Sequence, residues 1–414
     1  MKVSIFTPTH NPKWLLEAYS SIKDQTISDW EWIIIPNNLP ENINLPEFND
    51  DRVKIYPLND NINNIGRLKN YAVSKCTGDI LLELDHDDIL ENTCLEELVN
   101  IFSADEEIGF IYANFAEFID HNGTISRARR FDERNGWKYR SVNFRGLELD
   151  ECIAFKPTPA SFSRVWFSAN HPRAWRRTAY DNAGGYSANL KYNDDQELLS
   201  RTYLTTTIYH IDKCLYFYRR HEDNATYDAM GNALIQRQCI EIYDQYIEKM
   251  CLKWCKLNNL KALNLGGRFG KIPGTLSVDL KDADIIANLD QRWPFEDSSV
   301  GCIIANDIIE HLWDKLHVVK EIYRVLVQGG YVLIRVPSSD SRGGIQDPTH
   351  KSLYNQNSFL YYTDASLAKW IDTPVRFQSM RLYTTPLNNI GVSWVVSHMC
   401  SLKDGFIPPG ICSI

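Results

Sequence analysis

The first third of the chain alternates short apolar runs with segments of helical period. Val3 to Thr7, Glu31 to Ile35, Val53 to Pro57 and Ile80 to Leu84 have the length and content of buried strands. Between them, Pro12 to Gln25 places Leu15, Leu16, Tyr19 and Ile22 on one face at helical spacing, and Asn64 to Cys76 is likewise helical. Strand–helix–strand alternation predicts a mainly parallel sheet covered by helices, whose ligands sit beyond the carboxyl ends of the strands. The polar residues at those ends, Thr7 to Asn11, Asn37, Asn38 and Asp85 to Asp88, are therefore expected to converge on one crevice. From Asn114 to Ser168 the pattern turns irregular and rich in Arg, Phe and Trp, as expected of an acceptor-side insertion. Asn232 to Lys256 reads as one long helix carrying Leu234, Ile235, Cys239, Ile242, Tyr243, Tyr246 and Ile247. A new strand, Ala262 to Leu265, follows at once, and a second α/β pattern begins. These shifts predict a first domain at residues 1–231, a connecting helix at 232–258 and a second domain at 259–414.

A length of 414 residues suits two or three domains, each able to bury its own core. Apolar residues at 44% and charged residues at 23% describe an ordinary globular protein. The formal net charge of -9 argues against a general affinity for nucleic acid or anionic membrane surfaces. No apolar run approaches the roughly 20 residues of a membrane span, and the opening MKVSIFTPTHNP reads as a strand and turn rather than a signal peptide. The ten cysteines form no C-x-x-C pair, and Cys251 and Cys255, one helical turn apart, lack the partners that complete a zinc site. Reduced, mostly buried thiols and a cytoplasmic location are the expectation.

The sharpest local signal is Leu84-Asp85-His86-Asp87-Asp88 at the end of a buried strand. Clustered carboxylates there can hold a hard divalent cation shared with substrate phosphates, although an acidic turn that caps the next helix has the same appearance. The ordered runs around it widen the signal. VSIFTPTHNPKWLLEAYSSIKDQTISDWEWIII, NNIGRLKNYAVSKCTGDILLELDHDD and HPRAWRRTAYDNAGGYSANLKYNDDQELLSR resemble the GT-A-fold family 2 glycosyltransferases over about residues 1 to 230. The resemblance implies that Asp87 ligates Mn²⁺ or Mg²⁺ on the donor diphosphate, with His221 as a further metal or diphosphate contact. It also implies that Asp85 faces the ribose, that Thr7, Thr9 and Asn37 line the nucleoside pocket, and that Lys69 lies near base or phosphate. Asp194 and Asp195 occupy the acidic-pair position, and Asp195 is the expected general base for inverting transfer to an acceptor hydroxyl. Asn37 and Asn38 depart from the family's aspartates at the end of the second strand, which leaves the nucleobase open. Trp166, Trp175 and the arginines 173, 176 and 177 could grip sugar and diphosphate or could be core and surface residues.

In the second half, Ala262-Leu263-Asn264-Leu265-Gly266-Gly267 is a strand running into glycines, and Leu276-Ser277-Val278-Asp279 is a strand ending in a carboxylate. A glycine turn admits close ligand approach and an acidic residue there can bind ribose hydroxyls. LNLGG, PGTLSVDL, NLDQRWPFEDSSVGCIIANDIIEHL, EIYRVLVQGGYVLIRVPSS and QDPTHKSLYNQNSF, in that order, resemble class I S-adenosylmethionine-dependent methyltransferases over about residues 260 to 365. Val375 to Tyr383 and Gly391 to Cys400 would then be the antiparallel last strands of a Rossmann-like domain. The resemblance implies that Gly266 and Gly267 pack against S-adenosylmethionine, Asp279 binds its ribose, Asp290 lies near its adenine, and Asn306 marks the methyl-transfer edge. His311 and His350 are the candidate bases, with Glu310 or Asp347 orienting them. Arg268 replaces the usual glycine and would either crowd the cofactor or turn outward to its carboxylate.

The whole reads as an α/β enzyme with nucleotide-sugar donor and glycan acceptor, adding a sugar and methylating a sugar hydroxyl, with a homo-oligomer open. Similar fusions occur in viral and bacterial surface-glycan synthesis, which for a viral protein means the host cytoplasm. The rivals are a transferase whose second domain is a binding or dimerisation module, and a nucleotidyltransferase, against which the Gly184-Gly185-Tyr186 element and acidic pair argue.

Overall fold

The computed structural model describes residues 1–39, 43–58, 60–121, 123–129, 133, 136–164, 169–221 and 229–403. The chain forms two compact units, Met1–Tyr246 and Ile247–Ile414. The helix Ala229–Leu257 runs across that division. Its Tyr246 hydroxyl donates to Glu197 Oε1 in the first unit (2.6 Å), and Cys251 and Cys255 are buried in its later turns.

The first unit is built on an eleven-stranded sheet. Its strands are β1 (Val3–Thr9), β2 (Trp30–Pro36), β3 (Val53–Ile55), β4 (Ile80–Glu83), β5 (Ile89–Leu90), β6 (Ile108–His121), β7 (Thr124–Arg127), β8 (Lys138–Phe144), β9 (Leu147–Ile153), β10 (Arg173–Arg176) and β11 (Thr207–Arg220). The order along the main path is β3-β2-β1-β4-β10-β6-β11-β5. β1 pairs in parallel with β2 and β4, and β2 with β3. β1, β2 and β4 are buried almost throughout, which is why they read as unbroken apolar runs rather than as alternation. The helix Leu15–Lys23 buries Leu15, Ala18, Ser21 and Ile22, whereas Leu16 is exposed, so the packed stripe is narrower than its apolar residues suggest. Asn64 caps the helix Ile65–Lys75 by accepting from the Arg67 amide (2.8 Å).

The stretch from Asn114 to Ser168 corrects the sequence reading. Its described part is mostly sheet: the end of β6, which is fourteen residues long, then β7 and the β8–β9 hairpin. β6 is buried along eleven consecutive positions, so packing on both faces replaced the two-residue alternation that marks a half-exposed strand.

At the amino-terminal edge of this sheet the buried Glu31 joins separate elements. Its carboxylate accepts from Ser4 Oγ (2.7 Å), the Thr77 amide (2.6 Å), Lys2 Nζ (3.0 Å) and Lys54 Nζ (2.7 Å).

The second unit carries a seven-stranded sheet of β12 (Lys261–Leu265), β13 (Leu276–Asp279), β14 (Ile285–Ile286), β15 (Val300–Asn306), β16 (Leu326–Pro337), β17 (Phe377–Thr384) and β18 (Trp394–Ser401). The order is β14-β13-β12-β15-β16-β18-β17, with the first five strands parallel and β18 antiparallel to both neighbours. β17 and β18 are the antiparallel last strands expected from the resemblance. Both sheets thus reverse direction of growth beside their first strand, between β1 and β4 and between β12 and β15. A crevice is expected at such a switch point.

No helix among the described residues is long and apolar enough to cross a membrane. The nine described cysteines are all free and buried.

Candidate active sites

In the first unit the carboxyl ends of β1, β2 and β4 deliver Thr9, Asn37 and the Asp85–Asp88 turn to one side of the sheet. A cavity there is lined by Pro8, Thr9, His10, Asn37, Asn38 and Ile62 among others. Asn37 spends its amide on the loop opposite: Nδ2 donates to the Ile62 carbonyl (3.0 Å) and Oδ1 accepts from the Ile62 amide (2.8 Å). It forms the cavity wall with reduced capacity to read a base. Thr7 does not line the cavity. It is fully buried, donates to the Leu84 carbonyl (2.7 Å) and accepts from Trp32 Nε1 (2.8 Å), so its hydroxyl is spent on fastening β4 to β1.

The three aspartates of the turn have different environments. Asp88 is buried and accepts from the Tyr216 hydroxyl and the Arg219 amide (both 2.7 Å), which docks the turn on β11. Asp87 Oδ2 lies 2.8 Å from His221 Nε2 although the residues are 134 apart in sequence. Arg219 Nε donates to the Asp87 carbonyl (2.7 Å), and Trp14 packs on the His221 ring at 4.2 Å between centroids, so both sides of the pair are held. Burial opposes charge on Asp87, but the His221 hydrogen bond and the His86 ring more than offset it and hold Asp87 below its ordinary range. Asp85, the most accessible of the three, is pushed up to about 7 by burial and by the charges of Glu83 and Asp87. A cation in the crevice would draw it back down.

Beside this turn lies a buried network of three carboxylates and two cations. Lys69 Nζ contacts Glu83 (2.7 Å) and Asp194 (3.0 Å), and Arg173 Nη1 contacts Glu83 (3.4 Å) and Asp195 (2.8 Å). Lys69 therefore answers protein carboxylates rather than standing open to a base or phosphate. Asp194 and Asp195 open the helix Asp194–Thr205, where the dipole favours negative charge. They divide sharply: the Asp194 side chain is 8% exposed and the Asp195 side chain 31%. Burial raises both, but Arg173 and Lys69 outweigh it at Asp195 and hold it low, whereas Asp194 stays raised. His171 Nε2 lies 3.7 Å from Asp85 Oδ2, and burial followed by the Arg173 charge pulls the ring down to about 3, so it is neutral. Glu83 and His171 escaped the sequence reading. The usable signal was Glu83 itself, a charge inside the apolar strand Ile80-Leu81-Leu82-Glu83, which is placed there only when paired.

The aromatic and basic candidates resolve mostly into structure. Trp175 is wholly buried, Arg176 donates to the Ile108 and Phe102 carbonyls, and Arg177 donates to the Gly78 carbonyl. Trp166 lies outside the described residues.

In the second unit a cavity of about 190 Å³ is lined by Gly266, Asp279, Asp290, Ile308, His311 and Thr349 among others. Gly266 has φ 68°, and a Cβ there would meet Ile308 at 2.9 Å. Gly267 faces the other way, since its Cβ would strike Asn264 and Ser277 at 2.8 Å, so it serves strand packing and not the cavity. Asp279 accepts from the Leu280 amide (2.7 Å) and the Arg268 amide (3.3 Å), which fixes its carboxylate at the end of β13. The Arg268 guanidinium turns away, to Asp282 (3.1 Å), so it neither fills the cavity nor waits for a ligand carboxylate. Asp290 accepts from the Trp313 amide (2.8 Å). Asn306 is exposed at the end of β15 and does not line the cavity. His311 and His350 stand with ring centroids 4.9 Å apart, and Glu310 is buried beside them, where desolvation pushes its carboxyl up to about 8.

The chain is an α/β protein, a GT-A-like unit followed by a Rossmann-like unit. Residues 4–166 match the model of glycosyl transferase family 2, and residues 272–334 match that of a methyltransferase domain. The sequence is similar to an uncharacterized glycosyltransferase of Methanocaldococcus jannaschii, 31% identical over 39% of this chain and 56% of that protein. It is also similar to the GalNAc(5)-diNAcBac-PP-undecaprenol beta-1,3-glucosyltransferase of Campylobacter jejuni, 29% identical over 56% of this chain and 69% of that one. The chain thus spans little more than half the length of the archaeal relative. Among solved structures, residues 1–349 of S. aureus TarS align with TM-score 0.40 and 16% identity over 66% of this chain and 76% of that one. The same fragment in complex with UDP-GlcNAc gives 0.41 and 15% over 60% and 72%.

Proposed function

We propose that the first unit transfers a sugar from a nucleotide-sugar to a glycan hydroxyl with inversion, and that the second methylates a sugar hydroxyl using S-adenosylmethionine. The observation that carries the first half is the pairing of Asp87 with His221, brought together from distant strands and held from both sides. One carboxylate oxygen and one imidazole nitrogen suit a divalent cation completed by diphosphate oxygens and water, and the nitrogen favours Mn²⁺ over Mg²⁺. Such a cation supplies Lewis-acid stabilisation of the departing nucleoside diphosphate. Asp85 takes the ribose side of the crevice, with Thr9, Asn37 and Asn38 walling the base. Asp195, anchored by Arg173 and ionised, is the group positioned to accept the acceptor's proton, while Asp194 is tied to Lys69.

For the second half, Asp279 is set to bind the cofactor ribose, Asp290 to stand near the adenine and Gly266 to pack against the cofactor. The outward turn of Arg268 supports a cavity left open for that ligand. The soluble reading, the cytoplasmic location and a domain boundary within residues 232–258 belong to the same proposal.

The test is nucleotide-sugar turnover with and without Mn²⁺. Asp87→Asn replaces a charged ligand by a neutral amide and is expected to abolish metal-dependent turnover. Wild-type turnover by this variant in metal-depleted buffer would remove the assignment.

A further inference from the structure

Glu310 and His311 form a short 3-10 turn, Ile309–His311, just beyond the end of β15, and His350 comes from the loop that packs over it. Glu310 is 2% exposed, yet neither carboxylate oxygen accepts a hydrogen bond from the described residues. A buried carboxyl group without a hydrogen-bond partner costs on the order of a few kcal/mol whether or not it is ionised. Its surroundings do not repel a cation. His350 Nε2 lies 3.9 Å from Glu310 Oε1, and one ligand atom from each of Glu310, His311 and His350 fits within 4.8 Å of the others.

Both imidazoles are held through their other nitrogen. His350 Nδ1 lies 3.1 Å from the Gly344 carbonyl, which can only accept, so Nδ1 carries the proton and Nε2 presents a lone pair. His311 Nδ1 lies 3.1 Å from Thr349 Oγ1 and 3.4 Å from the Thr349 carbonyl, leaving its Nε2 in the same state. Fixing one nitrogen so that the other can ligate is how proteins prepare histidines for metals. Ligands about 2 Å from one ion are at most ~4 Å apart, so closing this cluster on a cation needs side-chain shifts of less than about 1 Å.

We infer that Glu310, His311 and His350 form a divalent-cation site in the second unit, separate from the Asp87–His221 pair, with open positions toward the cavity at Gly266, Asp279 and Asp290. Two nitrogens and one carboxylate oxygen select a first-row cation such as Mn²⁺, Fe²⁺, Co²⁺ or Zn²⁺ over Ca²⁺. Asp347, 3.9 Å from His350 Nε2 and 44% exposed, stands on the solvent side of the site. The role assigned to the cation rests on the methyltransferase reading: it holds and acidifies the acceptor hydroxyl. The hydroxyl proton passes to Asp347 and on to water. The oxygen–methyl bond forms as the methyl–sulfur bond breaks, and the sulfonium leaves as a neutral thioether.

Co²⁺ titration of the full-length chain, read by calorimetry and visible absorption, tests the site. Asp87→Ala, which removes the candidate ligand in the first unit, is expected to leave one Co²⁺ bound per chain. Adding His350→Ala or Glu310→Gln should weaken that binding by about 100-fold or more, and Thr349→Ala, which removes the hydroxyl from both His311 Nδ1 and Asp347 Oδ1, by about 10-fold. In the Asp87-intact chain the same substitutions should leave nucleotide-sugar turnover unchanged, and denaturant melts that keep the second unit's transition report that it still folds. Absence of Co²⁺ binding in the Asp87→Ala chain, or equal binding in all variants, overturns the site. S-adenosylmethionine binding is measured in parallel: Co²⁺ bound without cofactor keeps the site and removes the methylation role, and cofactor bound without Co²⁺ does the reverse.

Discussion

At the scale of single residues, the acidic pair shows how environment divides two adjacent and chemically identical side chains. Asp194 points into the protein against Lys69, and Asp195 reaches the rim on Arg173. A general base acts mainly in the transition state, so Asp195→Asn should lower kcat by roughly 10²–10⁴-fold with donor KM almost unchanged. Asp194→Asn leaves the buried Lys69 one carboxylate short and should instead cost about 1–3 kcal/mol of stability. Steady-state kinetics together with denaturant melts separate the two, and an inactive Asp194→Asn beside an active Asp195→Asn would exchange their roles. The sequence marked this pair by its position after Gly184-Gly185-Tyr186. It carried no sign that Arg173 and Lys69 would be the cations beneath it, because those contacts span 22 to 125 residues and exist only once β4, β10 and two helices have packed (Asp195 minus Arg173, Asp194 minus Lys69). The same limit explains Thr7: a hydroxyl at a strand end looks like a ligand contact until the neighbouring strand is seen to use it.

At the scale of elements, the parallel strands were legible because burial on both faces leaves apolar runs bounded by polar turns. The mixed part of the sheet was not. β6 carries Asn114 and Glu117 inside its buried stretch, and β11 pairs with it in parallel through register shifts, so neither shows a regular alternation. Glu31 on β2 is a second case of polar chemistry inside an element, and it yields a stability test. Burial disfavours its charge, but Lys54, Ser4, Thr77 and Lys2 outweigh that and hold its carboxyl well below the usual range. Its folded pKa is thus lower than the unfolded value of about 4.3, so the stabilisation is complete above that value and is lost as pH falls toward the folded one. Glu31→Gln should destabilise the first unit by about 2–3 kcal/mol at neutral pH. The gap to the wild type should narrow in acid, as read by denaturant melts from pH 7 downward. A gap that stays constant or widens on acidification would mean that the lysine contacts contribute nothing.

At the scale of the whole molecule, two α/β sheets each have a cavity at the carboxyl end of their first strand; Asp279 and Asp290 line the second, and in the first unit the Asp85–Asp88 turn follows the neighbouring strand β4. Independent sites make separable activities the central expectation. Cofactor that binds the folded second unit stabilises it by linkage, about 2.7 kcal/mol at a hundred times Kd, while a sugar site elsewhere is indifferent. The most direct measurement is therefore a crossed one on the full-length chain: Mn²⁺-dependent nucleotide-sugar turnover and calorimetric S-adenosylmethionine binding, each for wild type, Asp195→Asn and Asp279→Ala. Asp195→Asn should lose turnover and keep cofactor affinity, and Asp279→Ala should lose cofactor affinity and keep turnover. A wild type that binds no cofactor at about millimolar concentration, or an Asp279→Ala chain whose sugar turnover falls in step, would contradict two independent chemistries in one chain.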